Sequence, residues 1–210
     1  MSKLGTKVYE LRTITVPREA TKKAFEFFSS TKLPTPAGSK FIGAFGSTFE
    51  NKPEFVAVWE HDSLDNPSLH QGESKAMEPL TKLGASEETV FLRSFPWIEP
   101  AFTNNAKPLL WEFRCYTLKA GQMANWAKVF QNGLEERKKY SSPAAIFYSE
   151  FGILNRIYHF WPYQNFENRF DVRNKALENP IWANTVRDTA PFLDEMKNTV
   201  LHRIDYKGDN

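Results

Sequence analysis

Hydrophobic positions along the chain switch between two periods, and the order of the switches repeats. From Val8 to Val16 apolar and polar residues alternate as in a strand, after which Ala20, Ala24, Phe27 and Phe28 recur at helical spacing. Two short aromatic runs, KFIGAFGSTF and EFVAVWEH, follow on either side of the turn-forming ENKP; a helical stretch and the strand TVFLRSF close the series. The succession starts again at Trp111. WEFRCYTLKAGQ leads into Met123, Trp126, Ala127, Phe130 and Leu134 at helical spacing, then AAIFYSEF and NRIYHFW around Gly152, a helical stretch, and TVLHRIDY. The opening strand YELRTITVPREA begins at Tyr9, an offset of 102 from Trp111, and the same offset carries Phe28 to Phe130, Phe49 to Phe151, Trp59 to Trp161 and Leu64 to Phe166. Near the ends the offset becomes 110, taking Thr89 to Thr199 and Arg93 to Arg203, so the second copy holds eight additional residues. They fall within ALENPIWANTVRD, where Asn179 can cap a helix whose first turn holds Pro180.

Each copy therefore reads βαββαβ, the ferredoxin-like unit. The fold class expected is α+β: two such repeats in one chain, their open sheet faces brought together as an intrachain counterpart of a dimeric α+β barrel. The expected organisation is an N-terminal repeat over 1–95, a linker over 96–109 and a C-terminal repeat over 110–210. Pro96, Pro100 and Pro108 suit an extended linker rather than another helix. Because the repeats pair within one chain, a folded monomer is expected, while free sheet edges leave room for a homodimer.

Strand alternation sorts the repeated motif into two faces. Trp111, Phe113 and Cys115 share one, and Glu112, Arg114 and Tyr116 the other. If helices cover the apolar set, Glu112 and Arg114, with Glu10 and Arg12, point towards the other repeat; so do Ile157, His159, Trp161 and Tyr163, as Phe55, Ala57, Trp59 and His61 would in the first copy. Charges so placed must pair, because isolated buried charge costs several kcal/mol. One reading makes these four an ion-pair cluster joining the halves. The other makes them the wall of an arginine-lined, aromatic lumen that orients a carboxylate or enolate. The copies differ where Ala57 becomes His159, which gives one half a group titrating near neutral pH. A hydrogen-bonded core histidine is the plainer reading of His159. Arg173 lies on the stripe of Phe166, Phe170 and Leu177, with Arg169 one turn before it, and reads as an arginine with a buried stem and a head in water.

Composition narrows the partners. Net charge is +2 from 27 basic and 25 acidic residues, without a basic cluster that would follow a nucleic-acid backbone. No apolar run approaches the roughly 20 residues that span a bilayer, so no transmembrane segment is expected. The single cysteine, Cys115, excludes an internal disulfide and a Cys-based zinc site, and reads as a small strand residue. His61, His70, His159 and His202 include no helical zinc pair, and neither a glycine-rich phosphate loop nor a Gly-x-Ser-x-Gly elbow appears. No metal or cofactor is expected. An apolar lumen with one histidine could also host heme, though no other feature of the sequence supports it. The start MSKLGTKVYELR leaves no room for a signal core or an Arg-rich presequence, so the chain as written reads as cytoplasmic.

YELR, WEFRCYTLKAGQMANW and EFGILNRIYHFWPYQNFENRFDVRNKAL resemble the NIPSNAP family. Its typical pattern joins a strand with Glu and Arg to Glu-Phe/Tyr-Gly-x-Leu-Asn and an x-His-x-Trp strand, followed by a helix with two arginines. The first copy departs from it, with Glu50, Pro53 and Ala57 where Gly, Asn and His are expected, so a family site is sought in the second. The resemblance implies a dimeric α+β barrel fold and no settled reaction; fold relatives include cofactor-independent monooxygenases, cyclases and heme-binding enzymes. Animal members are commonly mitochondrial and linked to vesicle traffic or mitophagy signalling, and mitochondrial residence here would require that a presequence has been removed. Two functions stay open. In the first, a small anionic or aromatic ligand is bound and, if the site is catalytic, turned over without a cofactor. Arg114 would hold the anion, Glu112 would fix Arg114, His159 would exchange a proton, Trp161 and Tyr148 would form walls, and Tyr116 and Asn155 would complete the ligand contacts. In the second, the chain is an adaptor without catalysis, docking protein partners near Trp97 and Phe102.

Overall fold

The structure is a computed structural model and describes residues 7–31, 33–47, 49, 52–65, 74–102 and 110–205. Most of the linker (103–109, with Pro108), His70, and Glu50 and Asn51 of the ENKP turn lie outside them. The chain forms two compact units. One comprises residues 1–93, 150–152 and 201–210; the other comprises 94–149 and 153–200.

In the first unit β1 (Val8–Thr15) runs antiparallel to β3 (Glu54–His61) and β4 (Ser86–Ser94), and β2 (Ser39–Gly46) lies on the other side of β3. Helices α1 (Thr21–Ser30) and α2 (Ser74–Thr81) cover one face. Ala24 and Phe28 of α1, with Met77 and Leu80 of α2, pack on Phe55, Ala57 and Trp59, and Phe28 stacks on Phe55 at 5.2 Å. Each large side chain so buried contributes about 2–3 kcal/mol.

The second unit repeats the plan. β5 (Leu110–Leu118) is antiparallel to β7 (Arg156–Tyr163), which also pairs with β6 (Ala145–Phe151). Helices α3 (Met123–Lys138), α4 (Phe166–Glu178) and α5 (Pro180–Thr189) follow the expected positions, and β8 (Leu193–Ile204) ends the series. Helix α5 is the insertion foreseen in the sequence: Asn179 caps it, its side chain accepting from the N–H groups of Ile181 and Trp182, and Pro180 sits in its first turn. It packs closely on α3. A Cβ on Gly133 would stand 2.0 Å from Thr185 Oγ1, so only glycine lets the two helices meet there.

The strands bond in the order β1-β3-β2-β8-β5-β7-β6-β4, and β4 returns to β1. β6 and β8 each start in the second unit and finish in the first; β8 joins β2 through Ala44–Ile204, Phe45–Arg203 and Gly46–His202. The α+β class with two ferredoxin-like repeats and a closed antiparallel strand order is as expected. The turn between β6 and β7, FGILN, takes positive φ at Gly152 (94°) and Asn155 (58°), the residue types that tolerate it.

The assignment of faces is reversed. Arg114, Tyr116, His159 and Trp161 lie against α3 and α5, whereas Trp111, Phe113, Tyr158 and Phe160 form the opposite face, with Phe102 and Phe147 stacked among them. In the first unit Phe55, Ala57 and Trp59 likewise meet α1 and α2. The charged pair turns to the helices because its own unit supplies partners there, as described below. Of the linker aromatics, expected at the surface, Phe102 is buried in that stack and Trp97 is half-buried on Phe95 at 4.8 Å.

Candidate functional site

Glu112, in the middle of β5, is fully buried. Its carboxylate accepts from Arg114 Nη2 at 2.8 Å, Arg169 Nη2 at 2.7 Å, Arg173 Nη1 at 3.3 Å and Asn198 Nδ2 at 2.5 Å. Arg169 and Arg173 project from one face of α4, one helical turn apart, so helix and strand are joined through a single acid. The expectation that the head of Arg173 points into water is corrected: it bonds to Glu112. The cluster is built within the second unit. In the first unit Glu10 instead takes Arg12 and His61, and Arg12 also reaches Glu87.

Beside this cluster, between the sheet and its helices, lies a cavity of about 260 Å³. The strands contribute Arg114, Tyr116, His159 and Trp161; α3 contributes Trp126, Phe130 and Arg137; α4 contributes Arg173 and Leu177; and α5 contributes Trp182, Thr185 and Val186. Three arginines line it and no acid does. Arg137 is 3% exposed, and its guanidinium donates to Ser141 O, Ser141 Oγ and Tyr163 Oη. It lies over the Trp161 ring at 4.5 Å and beside Trp182 at 5.8 Å. No carboxylate pairs with it among the described residues.

His159 is 1% exposed, among the rings of Tyr116 (4.8 Å), Phe130 (5.5 Å) and Trp126 (5.7 Å). Neither of its ring nitrogens has a hydrogen-bond partner among the described residues, and neither does Trp161 Nε1 or Arg114 Nε. The hydrogen-bonded core histidine expected as the plainer reading is thus not what the structure contains. Burial first, and then the charge of Arg114, push His159 well below its ordinary pKa, so it is neutral at pH 7. Burial opposes the charge of Arg114, but Tyr116 and Glu112 more than offset this and keep it cationic. Burial, reinforced by the like charge of Arg114, pulls Arg137 below the usual guanidinium value. Leaving a buried donor or acceptor unsatisfied costs about 1–3 kcal/mol, so the orphaned groups gathered on one cavity wall mark it as a candidate site.

Of the residues singled out in the sequence, Arg114, Tyr116, His159 and Trp161 come together on the cavity wall, with Glu112 behind them. Tyr148 packs against Phe95 at 4.9 Å, and Asn155 sits in the β6–β7 turn; neither lines the cavity. Sequence reasoning missed Arg137, although it continues the buried α3 stripe of Phe130 and Leu134 at helical spacing. An arginine on an apolar stripe, with no acid in register, was the available signal. Among the described residues no cluster of His, Cys, Asp and Glu could hold a metal ion, and no helix is long and apolar enough to cross a membrane.

The NIPSNAP family model matches residues 111–206, the repeat that holds the cavity. "Protein NipSnap homolog" of Dictyostelium discoideum is 37% identical over 199 residues, covering 93% of this chain and 87% of that protein. "Protein NipSnap homolog 2" of Homo sapiens is 24% identical over 170 residues, 76% of this chain; the chain spans 58% of that relative and 32% of a Caenorhabditis elegans one. Among solved structures, an "anthrone oxidase-like protein" has a TM-score of 0.71 at 10% identity, covering 97% of this chain and 94% of its own. A "Putative monooxygenase" from Fusobacterium nucleatum has 0.67 at 10% identity, covering 97% and 95%. At such identity the likeness is one of fold.

Proposed function

The chain belongs to the NIPSNAP family, and we propose that its second unit binds a small organic anion with a flat body in the cavity between sheet and helices. The observation that supports this most is the lining: three guanidinium groups, two of them paired to Glu112 behind the wall and the third, Arg137, with no carboxylate partner among the described residues, next to buried His159 and Trp161 whose polar atoms have no partner there. Arg114 is oriented by Glu112 and turns its remaining donors to the ligand. Arg137, held by Ser141 and Tyr163, supplies a second positive charge in a low-dielectric setting where it acts strongly. Trp126, Phe130, Trp161 and Trp182 are the flat walls. His159, being neutral, can donate from one nitrogen and accept at the other, which suits a hydroxyl or carbonyl on the ligand. At about 260 Å³ the cavity falls just below the range of about 300–1,000 Å³ of drug-sized sites, so the ligand is a compact one.

The test is a thermal-shift and calorimetric comparison of aryl and short unsaturated carboxylates with their neutral methyl esters and amides. The acids are expected to stabilise the chain, by about 2.7 kcal/mol at 100 times the dissociation constant, while the neutral isosteres do not. Arg137→Gln is expected to abolish that preference. Equal stabilisation by acids and amides, or silence of every acid at millimolar concentration, would overturn the reading.

A further inference from the structure

The first unit holds a second set of chemically active side chains, none of which lines the cavity. Ser39 opens β2 directly after Gly38, whose φ of 74° turns the chain into the strand, and His61 ends β3. Antiparallel register places Ser39 opposite His61, and Ser39 Oγ lies 2.7 Å from His61 Nδ1. On the other side of the ring, Nε2 is 3.0 Å from Glu10 Oε2, and Glu10 Oε1 accepts from Arg12 Nε at 2.5 Å. Glu10 and His61 are 5% and 1% exposed, whereas Ser39 is half-buried between exposed Gly38 and Lys40. The base and its orienting acid are therefore shielded, while Ser39 keeps part of its surface in solvent.

The proton inventory fixes the roles. Burial raises the carboxyl pKa of Glu10, but the His61 hydrogen bond and the Arg12 charge more than offset this and hold it below the usual carboxylate value. An ionised carboxylate only accepts, so His61 carries its hydrogen on Nε2 and donates it to Glu10. In the neutral imidazole Nδ1 is then the acceptor, and the short contact is Ser39 O–H donating to it. The equivalent serine of the second repeat does the reverse. Ser141, at the offset of 102, accepts from Arg137 Nη1 at 2.8 Å, and the residue equivalent to His61 is Tyr163, whose hydroxyl also accepts from Arg137. One serine faces a base and the other a cation.

We propose that Ser39, His61 and Glu10 form a nucleophilic triad in which Ser39 takes an acyl group from an activated carboxylic ester. As Oγ bonds to the acyl carbon, His61 Nδ1 takes the hydroxyl proton and Glu10 stabilises the imidazolium so formed. The bond to the alcohol then breaks, and the departing oxygen receives that proton from His61. The products are acyl-Ser39 and a free alcohol, with no oxidant or metal involved. Water following the same path would release the acid and restore the serine.

A fluorophosphonate probe and p-nitrophenyl acetate, each applied to the full chain, test this by intact mass and peptide mapping. With the fluorophosphonate, Oγ–P forms as P–F breaks, and one adduct is expected on Ser39 and none on Ser141. The rate should fall about 100-fold in His61→Gln, in line with the loss of a general base, by a smaller factor in Glu10→Gln, and to zero in Ser39→Ala, with circular dichroism reporting folding. The wild-type chain provides a test without variants: p-nitrophenyl acetate should release one equivalent of p-nitrophenolate in a burst and leave one acetyl group on Ser39. No adduct on Ser39, adducts on Ser39 and Ser141 alike, or a folded His61→Gln protein labelled at the wild-type rate would overturn the proposal.

Discussion

The two repeats start from the same strand and use it differently. In both, a glutamate and an arginine two residues on face the helices, and the arginine lies over a tryptophan of the neighbouring strand: Arg12 over Trp59 at 4.9 Å and Arg114 over Trp161 at 5.7 Å. In the first repeat Trp59 shares its core cluster with Ala57, Phe28 and Phe55, the last two stacked. In the second, His159 replaces Ala57, Tyr163 takes the sequence position of His61 and accepts from Arg137, and the inserted α5 adds a wall with Trp182 and Thr185. One insertion and a few substitutions thus accompany the change from the packed cluster of the first repeat to the arginine-lined cavity of the second. The comparison teaches that the cavity of the second repeat lies between its sheet and its helices rather than in a loop, and that the second repeat pairs one fully buried acid with three arginines.

The largest expected effect concerns that acid. Glu112 balances Arg114, Arg169 and Arg173 in a fully buried position. Glu112→Gln should therefore destabilise the chain by about 3–5 kcal/mol, as for a buried charge left without its partner. Glu10→Gln should cost about 2 kcal/mol or less, because Arg12 keeps Glu87 at 3.6 Å. Urea unfolding of the two variants decides; equal losses would show that the repeats use the motif alike. Next is the α3–α5 contact. Gly133→Ala should cost about 2–3 kcal/mol by overpacking against Thr185, while Gly121→Ala, where no atom lies within 4 Å, should cost about 1 kcal/mol from its positive φ alone. Similar values for both would mean that α5 yields readily and is no fixed wall.

Much of this was legible in the sequence, and the part that was not has a definite physical cause. The offset of 102, the order βαββαβ, and the eight-residue insertion with its Asn179–Pro180 start all follow from periodicity and capping, which are local properties. Alternation likewise placed Glu112, Arg114 and Tyr116 on one face. Which face meets the helices is not local. The assumption that helices take the more apolar set failed because Arg169, Arg173 and Asn198, from distant segments, all bond to Glu112 and make a charged residue welcome on the helix side. Arg137 escaped notice for a related reason: its partners Ser141 and Tyr163 are polar groups without charge, so no acid in register marked it. Tyr148 and Asn155 were chosen for residue type, and the register of β6 and its turn carries both elsewhere.

The effect of pH separates the repeats by direction and window. His159 has a folded pKa well below its unfolded value of about 6.5, so the unfolded chain binds a proton that the folded chain refuses. Stability is then complete above about pH 6.5 and is lost as pH falls below it, by up to about 1.4 kcal/mol per pH unit, until the depressed folded pKa is reached. Glu10 behaves as a lowered carboxylate: its contribution is present above its unfolded value near 4.5 and is lost only as pH falls through the folded value below that. Unfolding free energies measured from pH 7.5 to 4 should therefore slope first with the second repeat and later with the first. A flat profile between pH 6.5 and 5 would contradict the burial of His159.

The smallest effect expected is also the sharpest test of what His159 is for. In His159→Leu the new side chain meets the rings of Tyr116, Trp126 and Phe130, and the two orphaned nitrogens disappear. No partner is left stranded, because none exists among the described residues, and a side chain of similar volume opens no large void. The variant should gain about 1 kcal/mol at pH 7, a modest part of the cost of burying unsatisfied polar atoms, and the slope between pH 6.5 and 5 should flatten. Affinity for the anions that stabilise the wild-type chain should fall over the same substitution. A stability gain bought with lost binding is the trade expected where a core position has been given to a ligand. If His159→Leu loses stability and keeps its affinity, the histidine serves packing, and the difference between the two repeats at this position is one of filling the core rather than of function.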